Sequence, residues 1–151
     1  MARLQVDIVT AEGRIFAGET DTVTAPGSDG QLTVLPSHAA IITSLDDGDL
    51  KYMDGGTEHH IALLGGFMEV NDNRVTILAN AAEHEGKIDV ERAEAAMKRA
   101  QQRLAERTGD IDLERALASL RRARVRLTVA RRRGSRGFAA GRVPPQSGSG
   151  S

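Results

Sequence analysis

The chain has 151 residues, with 20 basic and 21 acidic side chains, no cysteine and only four aromatic residues apart from histidine. The lack of cysteine excludes disulfides and thiolate sites, and so few aromatic rings exclude a stacking platform for single-stranded nucleic acid. No apolar stretch approaches the ~18 residues of a membrane span, and the first residues lack the apolar core of a secretory signal, so we expect a soluble intracellular protein.

Charge is unevenly distributed along the chain. Residues 1–87 carry 14 acidic and 5 basic side chains, a net charge of −9, whereas residues 88–151 carry 7 acidic and 15 basic side chains, a net charge of +8. The two halves should therefore meet different partners, or each other. Two interpretations are open: an acidic domain that attracts a basic helical face, or a basic arm that docks on an acidic or phosphate-bearing surface.

Alternating apolar and polar residues predict β-structure in the first half of the chain. Leu4, Val6 and Ile8 alternate with polar residues, as in a half-buried strand. Further short apolar runs are separated by connectors rich in glycine, asparagine and aspartate, which are typical of turns. We predict a β-sandwich of about ten short antiparallel strands over residues 1–87, with a turn at Gly65 and Gly66.

From residue 88 onward the apolar period changes to that of an α-helix. Asp89 is a suitable N-cap, and the apolar stripe that follows is mostly alanine. A second helix follows Gly109, a plausible C-cap glycine, and its apolar face is mostly leucine. We predict an antiparallel two-helix hairpin over residues 88–131 and a disordered basic tail rich in Pro, Gly and Ser over residues 132–151.

No pattern of catalytic or metal-binding residues emerges from the spacing. His59 and His60 are adjacent, so in a strand they point to opposite faces and cannot hold one ion together. His84, between Glu83 and Glu85, is interpreted as part of a solvated charge cluster. The sequence therefore predicts neither a catalytic residue nor a metal site.

Arginines recur at helical spacing in the second half of the chain. They form two ridges, Arg92, Arg99 and Arg103 on the first helix and Arg115, Arg122 and Arg126 on the second. Such ridges could bind a polyphosphate or a carboxylate-rich segment, or could simply be a solubilising basic face. Nucleic acid is disfavoured as a partner, because the acidic half would repel it and no groove-reading motif occurs.

Three segments resemble a known family. Residues 4–13 read LQVDIVTAEG, residues 30–39 read GQLTVLPSHA and residues 45–50 read LDDGDL. These segments resemble the ε subunit of bacterial F-type ATP synthases, and the similarity continues in order from about residue 3 to about residue 130. Ala40 and Asp47 occur where proline is common in that family, and the tail is longer than expected.

The resemblance implies a non-catalytic rotor subunit of a proton-translocating ATP synthase, peripheral to the cytoplasmic face of the bacterial cell membrane. The sandwich would contact the γ subunit and the ring of c subunits. The hairpin would fold onto the sandwich or extend along γ into the catalytic head, where it blocks ATP hydrolysis. The catalytic β subunits present an acidic segment there, which would meet the partner-facing basic residues Arg115, Arg121, Arg122 and Arg126.

Some members of that family bind regulatory ATP through an Ile/Leu-Asp-x-x-Arg-Ala motif, and residues 88–93, IDVERA, match it in full. The resemblance also places four further residues where those members contact the nucleotide. It thus implies a regulatory ATP site, with no obligatory cofactor, formed by Glu83, Ile88, Asp89, Arg92, Ala93, Arg99, Arg122 and Arg126.

Two alternatives belong to other functional classes. One is a free-standing ATP-sensing module, which would purify without α, β and γ subunits. The other is a metal-dependent enzyme of cupin-like architecture that uses His38, His59 and His60, which metal analysis of the purified protein would test.

Overall fold

A computed structural model describes residues 2–106 and 110–141, with side chains over residues 2–106 and 113–132. Eight strands are followed by a short 3-10 turn (Glu85–Lys87) and two α-helices. The strands are β1 (Leu4–Thr10), β2 (Gly13–Thr20), β3 (Thr22–Gly27), β4 (Gly30–Val34), β5 (Ile41–Leu45), β6 (Gly48–Asp54), β7 (Thr57–Asn71) and β8 (Arg74–His84). The helices are α1 (Val90–Glu106) and α2 (Asp110–Gly141).

The strands form a β-sandwich around one apolar core, as predicted. Neighbouring strands follow the order β2-β1-β8-β7-β5-β3-β4, and β6 pairs with both β3 and β7. Two details differ from the prediction of about ten antiparallel strands. The described residues form eight strands, and β1 runs parallel to β8, with Val6 opposite Val75. A parallel pair is possible here because the rest of the sandwich forms the long connection that parallel neighbours require.

Gly65 and Gly66 do not form the predicted turn. Strand β7 continues through them and changes partner: Leu63 lies opposite Gly48 of β6, whereas Gly66 lies opposite Leu45 of β5. Both glycines have positive φ, 63° and 138°. The glycine pair therefore bends one long strand so that it belongs to both layers of the sandwich.

The core consists of inward-facing aliphatic side chains from most of the strands. Leu4, Val6 and Ile8 are fully buried, which confirms the alternation predicted for β1. They pack with Leu50, Ile61, Leu63, Met68, Val75 and Ile77, among other buried residues.

The two helices pack against each other, and α2 packs against β7, β6 and the 3-10 turn. The contact is built from small residues, since Ala93 and Ala100 of α1 and Ala116 and Ala123 of α2 are all buried. The predicted N-cap is confirmed, because the Asp89 Oδ1 atom accepts a hydrogen bond from the backbone N–H of Arg92 at 3.0 Å.

Helix α2 differs from its prediction in two respects. Its predicted apolar face is confirmed only in part: Ala116, Ala123 and Leu127 are buried, as is Val129, whereas Leu113 and Leu117 are exposed. The helix also ends at Gly141, ten residues after the predicted end of the hairpin at residue 131. Its added part is rich in arginine and alanine, strong helix formers, and isolated glycines there cost only about 1 kcal/mol each.

Residues 142–151 of the predicted tail and the predicted C-cap Gly109 lie outside the described residues. None of the helices is both long and apolar enough to cross a bilayer over the part of the chain that the structure describes.

Candidate functional site

Three arginines of α2 contact three carboxylates of the sandwich, and we call these contacts the docking pairs. They are Arg126 with Glu83 (2.7 Å from Nε to Oε2), Arg132 with Asp49 (3.1 Å from Nη1 to Oδ2) and Arg121 with Asp47 (3.9 Å from Nε to Oδ2). The negative half of the chain thus attracts the positive half, which is the first of the two interpretations of the charge pattern. Arg132 had been assigned to the tail, so the sequence analysis missed its pair with Asp49.

Glu83 and Arg126 form the shortest docking pair and are both predicted ATP-site residues. Glu83 lies near the end of β8, and both side chains are partly shielded from solvent. Beside them is a cleft of about 410 Å³. Its aliphatic part is formed by Ala62, Leu64, Ala81 and Ala82, and its charged part by Glu12, Glu83, Lys87 and Arg126. The lining thus combines aliphatic side chains with two acidic and two basic groups.

The residues of the IDVERA motif lie at the start of α1. Ile88 follows the 3-10 turn and is half-buried, Asp89 caps the helix, and Ala93 is buried. Arg92 is exposed and, like Arg99 on α1, forms no ion pair with any residue that the structure describes. Asp89 therefore has a structural role as the cap of α1.

The predicted partner-facing arginines divide into two groups. Arg121 and Arg126 contact carboxylates of the sandwich, whereas Arg115 and Arg122 are exposed. The Arg122 Nη2 group donates a hydrogen bond to the hydroxyl of Ser119 on the same helix, at 3.2 Å. In this conformation α2 thus presents only part of its basic surface to a partner.

His60 is buried between two carboxylates on the side of the sandwich that α2 covers. Its Nδ1 atom lies 2.8 Å from Asp49 Oδ1, and its Nε2 atom lies 3.0 Å from Glu58 Oε2. The hydrogen bond from His60 lowers the pKa of Glu58, and Lys51 acts in the same direction. Because Asp49 also binds Arg132, these contacts link the interior of the sandwich to α2.

The histidine trio required by the cupin-like alternative is not assembled. His60 contacts Asp49 and Glu58, His59 stacks on Tyr52 with ring centroids 4.9 Å apart, and the His38 Nδ1 atom contacts the carbonyl of Ala39. The solvated cluster predicted around His84 was also wrong, because His84 is half-buried and Glu85 is buried.

A patch of exposed apolar side chains lies on strands β5, β7 and β8. Ile42, Phe67 and Leu78 are 74%, 61% and 58% exposed. Phe67 is paired directly with Leu78 on one side and with Ser44 on the other, so the three apolar side chains share one face. Contiguous exposed apolar surface commonly marks an interaction site. The sequence analysis missed this patch because strand register alone brings it together.

Two family models match the chain in succession. Residues 3–85 match "ATP synthase, Delta/Epsilon chain, beta-sandwich domain", and residues 87–131 match "ATP synthase, Delta/Epsilon chain, long alpha-helix domain". The chain belongs to the ATP synthase delta/epsilon family. The family resemblance found in the sequence is thereby confirmed.

Curated relatives from bacteria agree with this assignment. The chain is 50% identical to the ATP synthase epsilon chain of Desulforamulus reducens over 105 residues, which cover 69% of this chain and 80% of that one. It is 51% identical to the ATP synthase epsilon chain of Carboxydothermus hydrogenoformans over 104 residues, which cover 68% and 77% of the two chains.

Solved structures of mitochondrial ATP synthases contain chains of similar fold. One chain of the Euglena gracilis complex "OSCP/F1/c-ring in rotational state 1" matches with a TM-score of 0.73 at 22% identity, covering 86% of this chain and 82% of that one. A chain from the central stalk and c-ring of the Tetrahymena thermophila enzyme matches with a TM-score of 0.57 at 16% identity, covering 85% and 97%. At these identities the likeness shows the fold.

Proposed function

We propose that the chain is the ε subunit in the central stalk of a bacterial F-type ATP synthase, without catalytic activity of its own. The observation that carries the proposal is the match of both domains, in order, to one family whose bacterial relatives named epsilon chain are about half identical to this chain. As part of a proton-translocating complex it would lie at the cytoplasmic face of the cell membrane. Co-purification with α, β and γ subunits tests this; a chain that purifies alone favours the free-standing ATP sensor.

In this proposal the sandwich attaches to the γ subunit and to the ring of c subunits, and the apolar patch of Ile42, Phe67 and Leu78 supports such an attachment. We assign this patch to γ. Phe67→Ser should weaken assembly with γ, and Thr57→Ala, an exposed change at the other end of the same strand, is the matched control. Equal assembly of both variants would contradict this assignment of the patch.

The hairpin inhibits ATP hydrolysis by leaving the sandwich and entering the catalytic head. Exposed ion pairs contribute only about 0.2–1 kcal/mol each, so the three docking pairs hold the hairpin weakly. A partner with an acidic segment, such as a catalytic β subunit, competes with Asp47 and Glu83 for the same arginines. The docked and extended states then differ by the few kcal/mol that a partner can supply.

Reconstitution with the catalytic head tests this mechanism. Removal of residues 88–151 should relieve inhibition, and combined replacement of Arg115, Arg121, Arg122 and Arg126 by Ala should do the same. The multiple variant is needed because single exposed pairs contribute little. Loss of inhibition in the truncated protein but not in the arginine variant would exclude charge pairing as the cause.

Regulatory ATP binds the docked hairpin and stabilises it, so that high ATP relieves inhibition. The cleft beside Glu83 and Arg126 supports this proposal, as do Arg92 and Arg99, which form no ion pair among the residues that the structure describes. Arg126 is already bound to Glu83, so the phosphates must compete with that carboxylate. Ligand binding to the docked state alone then shifts the equilibrium by mass action.

Calorimetric titration of the full chain with ATP tests the site. Arg92→Ala and Arg126→Ala should weaken binding by at least about tenfold each, whereas Arg103→Ala, an exposed arginine on the first ridge but outside the motif, should not. Glu83→Gln separates two roles: affinity falls if Glu83 contacts the nucleotide and rises if it only occupies Arg126. Binding that is indifferent to all of these changes would exclude the site.

A further inference from the structure

Three possible metal ligands meet where the sandwich joins the helices. His59 of β7, His84 at the end of β8 and Glu85 of the 3-10 turn each provide a ligand atom, and these atoms lie within 4.8 Å of one another. His59 and His84 are far apart in the sequence, but β7 and β8 pair with Ile61 opposite His84, which brings His59 close. The sequence analysis predicted no metal site because spacing along the chain does not reveal this pairing.

The geometry suits one small cation. His59 Nδ1 lies 3.6 Å from Glu85 Oε1. Two ligands at about 2.0–2.2 Å from a tetrahedral ion are separated by about 3.4 Å, so one ion can bind both atoms after small side-chain adjustments.

Both ring nitrogens of His84 have hydrogen-bonding neighbours. Its Nε2 atom lies 3.1 Å from the hydroxyl of Tyr52, and its Nδ1 atom accepts a long hydrogen bond, 3.3 Å, from the backbone N–H of Gly86. An ion bound at Nδ1 would replace this long hydrogen bond, and the tyrosine would hold the ring from its Nε2 side. The ring of Tyr52 also stacks on His59, so one side chain positions both histidines.

The carboxylate of Glu85 belongs to a residue only 3% exposed. Positive charge beside a buried carboxylate stabilises it, and a divalent cation would provide such a charge.

We propose that His59, His84 and Glu85 form a binding site for a divalent transition-metal ion of the Zn²⁺ type. Two imidazoles and one carboxylate are a donor set that such ions favour, and the fourth position remains for water. Glu85 lies in the only covalent connection between β8 and α1, and α2 contacts the same 3-10 turn. A bound ion therefore fastens this connection to the sheet and opposes release of the hairpin, a consequence that rests on the proposed function.

Titration of the full chain with ZnCl₂ by calorimetry, and with Co²⁺ by visible absorption, tests the site. One ion per chain is expected, with the absorption of a tetrahedral Co²⁺ centre and with proton release on binding. His59→Gln and His84→Gln should each weaken binding by more than about tenfold, whereas His38→Gln is the matched control that should leave it unchanged. Circular dichroism checks that each variant is folded. Because the side chain of His59 is partly exposed, His59→Gln should disturb the fold least.

Absence of binding, or equal affinity in the His59 and His38 variants, would overturn the metal site and leave the proposed function untouched. The proposed effect of the ion on hairpin release has its own test in the reconstituted enzyme. Zn²⁺ should relieve inhibition of ATP hydrolysis with the wild-type chain and not with His59→Gln. If the wild-type chain binds Zn²⁺ but both chains respond equally to it, the metal site stands and its effect on hairpin release is overturned.

Discussion

Individual charged residues connect the interior of the sandwich to the docked helix. His60 contacts both Asp49 and Glu58, and Asp49 also contacts Arg132 of α2. The bond from His60 lowers the pKa of Glu58. A carboxyl whose pKa is lower in the folded than in the unfolded state stabilises the fold above its unfolded pKa, and this contribution is lost as the pH falls through the lowered value.

The first prediction concerns the pH dependence of stability. Glu58→Gln should remove part of the loss of unfolding free energy that the wild-type chain shows below about pH 4.3, the ordinary pKa of glutamate. Urea unfolding from pH 3 to pH 7 measures how the free energy of unfolding depends on pH in both proteins. Glu69→Gln on the same strand is the control and should follow the wild-type curve. If both variants lose stability in parallel with the wild type, the pair with His60 does not govern this pH range.

A second prediction concerns Glu83 and Arg126. A double-mutant cycle with Glu83→Gln and Arg126→Gln should give a coupling of about 0.5–1 kcal/mol in the free energy of unfolding, because the pair is short but partly solvated. The coupling should decrease in 1 M NaCl, which screens exposed charges. Coupling that is zero at low salt would show that this contact does not hold the hairpin.

At the scale of single elements, the bend in β7 depends on close approach of two backbones. A Cβ atom on Gly66 would lie 2.2 Å from the carbonyl oxygen of Leu78 and 2.8 Å from the Cα of Ala79. Such a contact cannot be relieved by a side-chain rotation. The bend thus requires glycine for space as well as for its positive φ.

Gly66→Ala should therefore lower the free energy of unfolding by about 2 kcal/mol or more. Gly13→Ala is a matched control, since Gly13 has a similar φ of 132° but no atom within 4 Å of the added methyl group. Thermal and urea unfolding compare the stabilities of the two variants. Equal destabilisation would show that backbone strain, rather than the clash with β8, explains the glycine.

The elements also show how far the sequence predicts this fold. Alternation identified β1 and its buried residues, and the N-cap at Asp89 located the start of α1, because both signals are local. The Gly65–Gly66 bend was predicted as a turn, because a glycine pair in the sequence does not distinguish a turn between two strands from a bend within one. The predicted apolar face of α2 was confirmed at Ala116, Ala123 and Leu127, but Leu113 and Leu117 of the same face are exposed, because close packing of the two helices favours small side chains.

The candidate site follows the same rule. Residues that share a short motif, such as Asp89 and Arg92, were predicted as ATP-site residues through the resemblance, as was Arg126. Asp49, Arg132 and the cluster of His59, His84 and Glu85 depend on cross-strand pairing and on docking between domains. Neither is visible in residue spacing, so the docking pairs and the metal-ligand cluster required the structure.

At the scale of the whole molecule, the sandwich contains nearly all of the large buried apolar side chains, whereas the hairpin buries mainly alanine. We predict that residues 1–87 fold alone, with β-type circular dichroism and a cooperative melt, while residues 88–151 alone show weak helicity. A fragment 1–87 without a cooperative melt would show that the sandwich depends on α2.

The parallel pairing of β1 with β8 has a mechanical consequence. Gln5–Val9 pair with Arg74–Leu78, so the first and last strands of the sandwich are hydrogen-bonded to each other and point the same way. A force that pulls on the start of β1 and on the end of β8, where the helices are attached, acts along the strands and loads all of these hydrogen bonds at once in shear. It cannot open them one after another like a zipper. In the proposed rotor, the sandwich would therefore resist being pulled apart through its two ends, whereas only the docking with the sandwich would oppose release of the hairpin beyond β8.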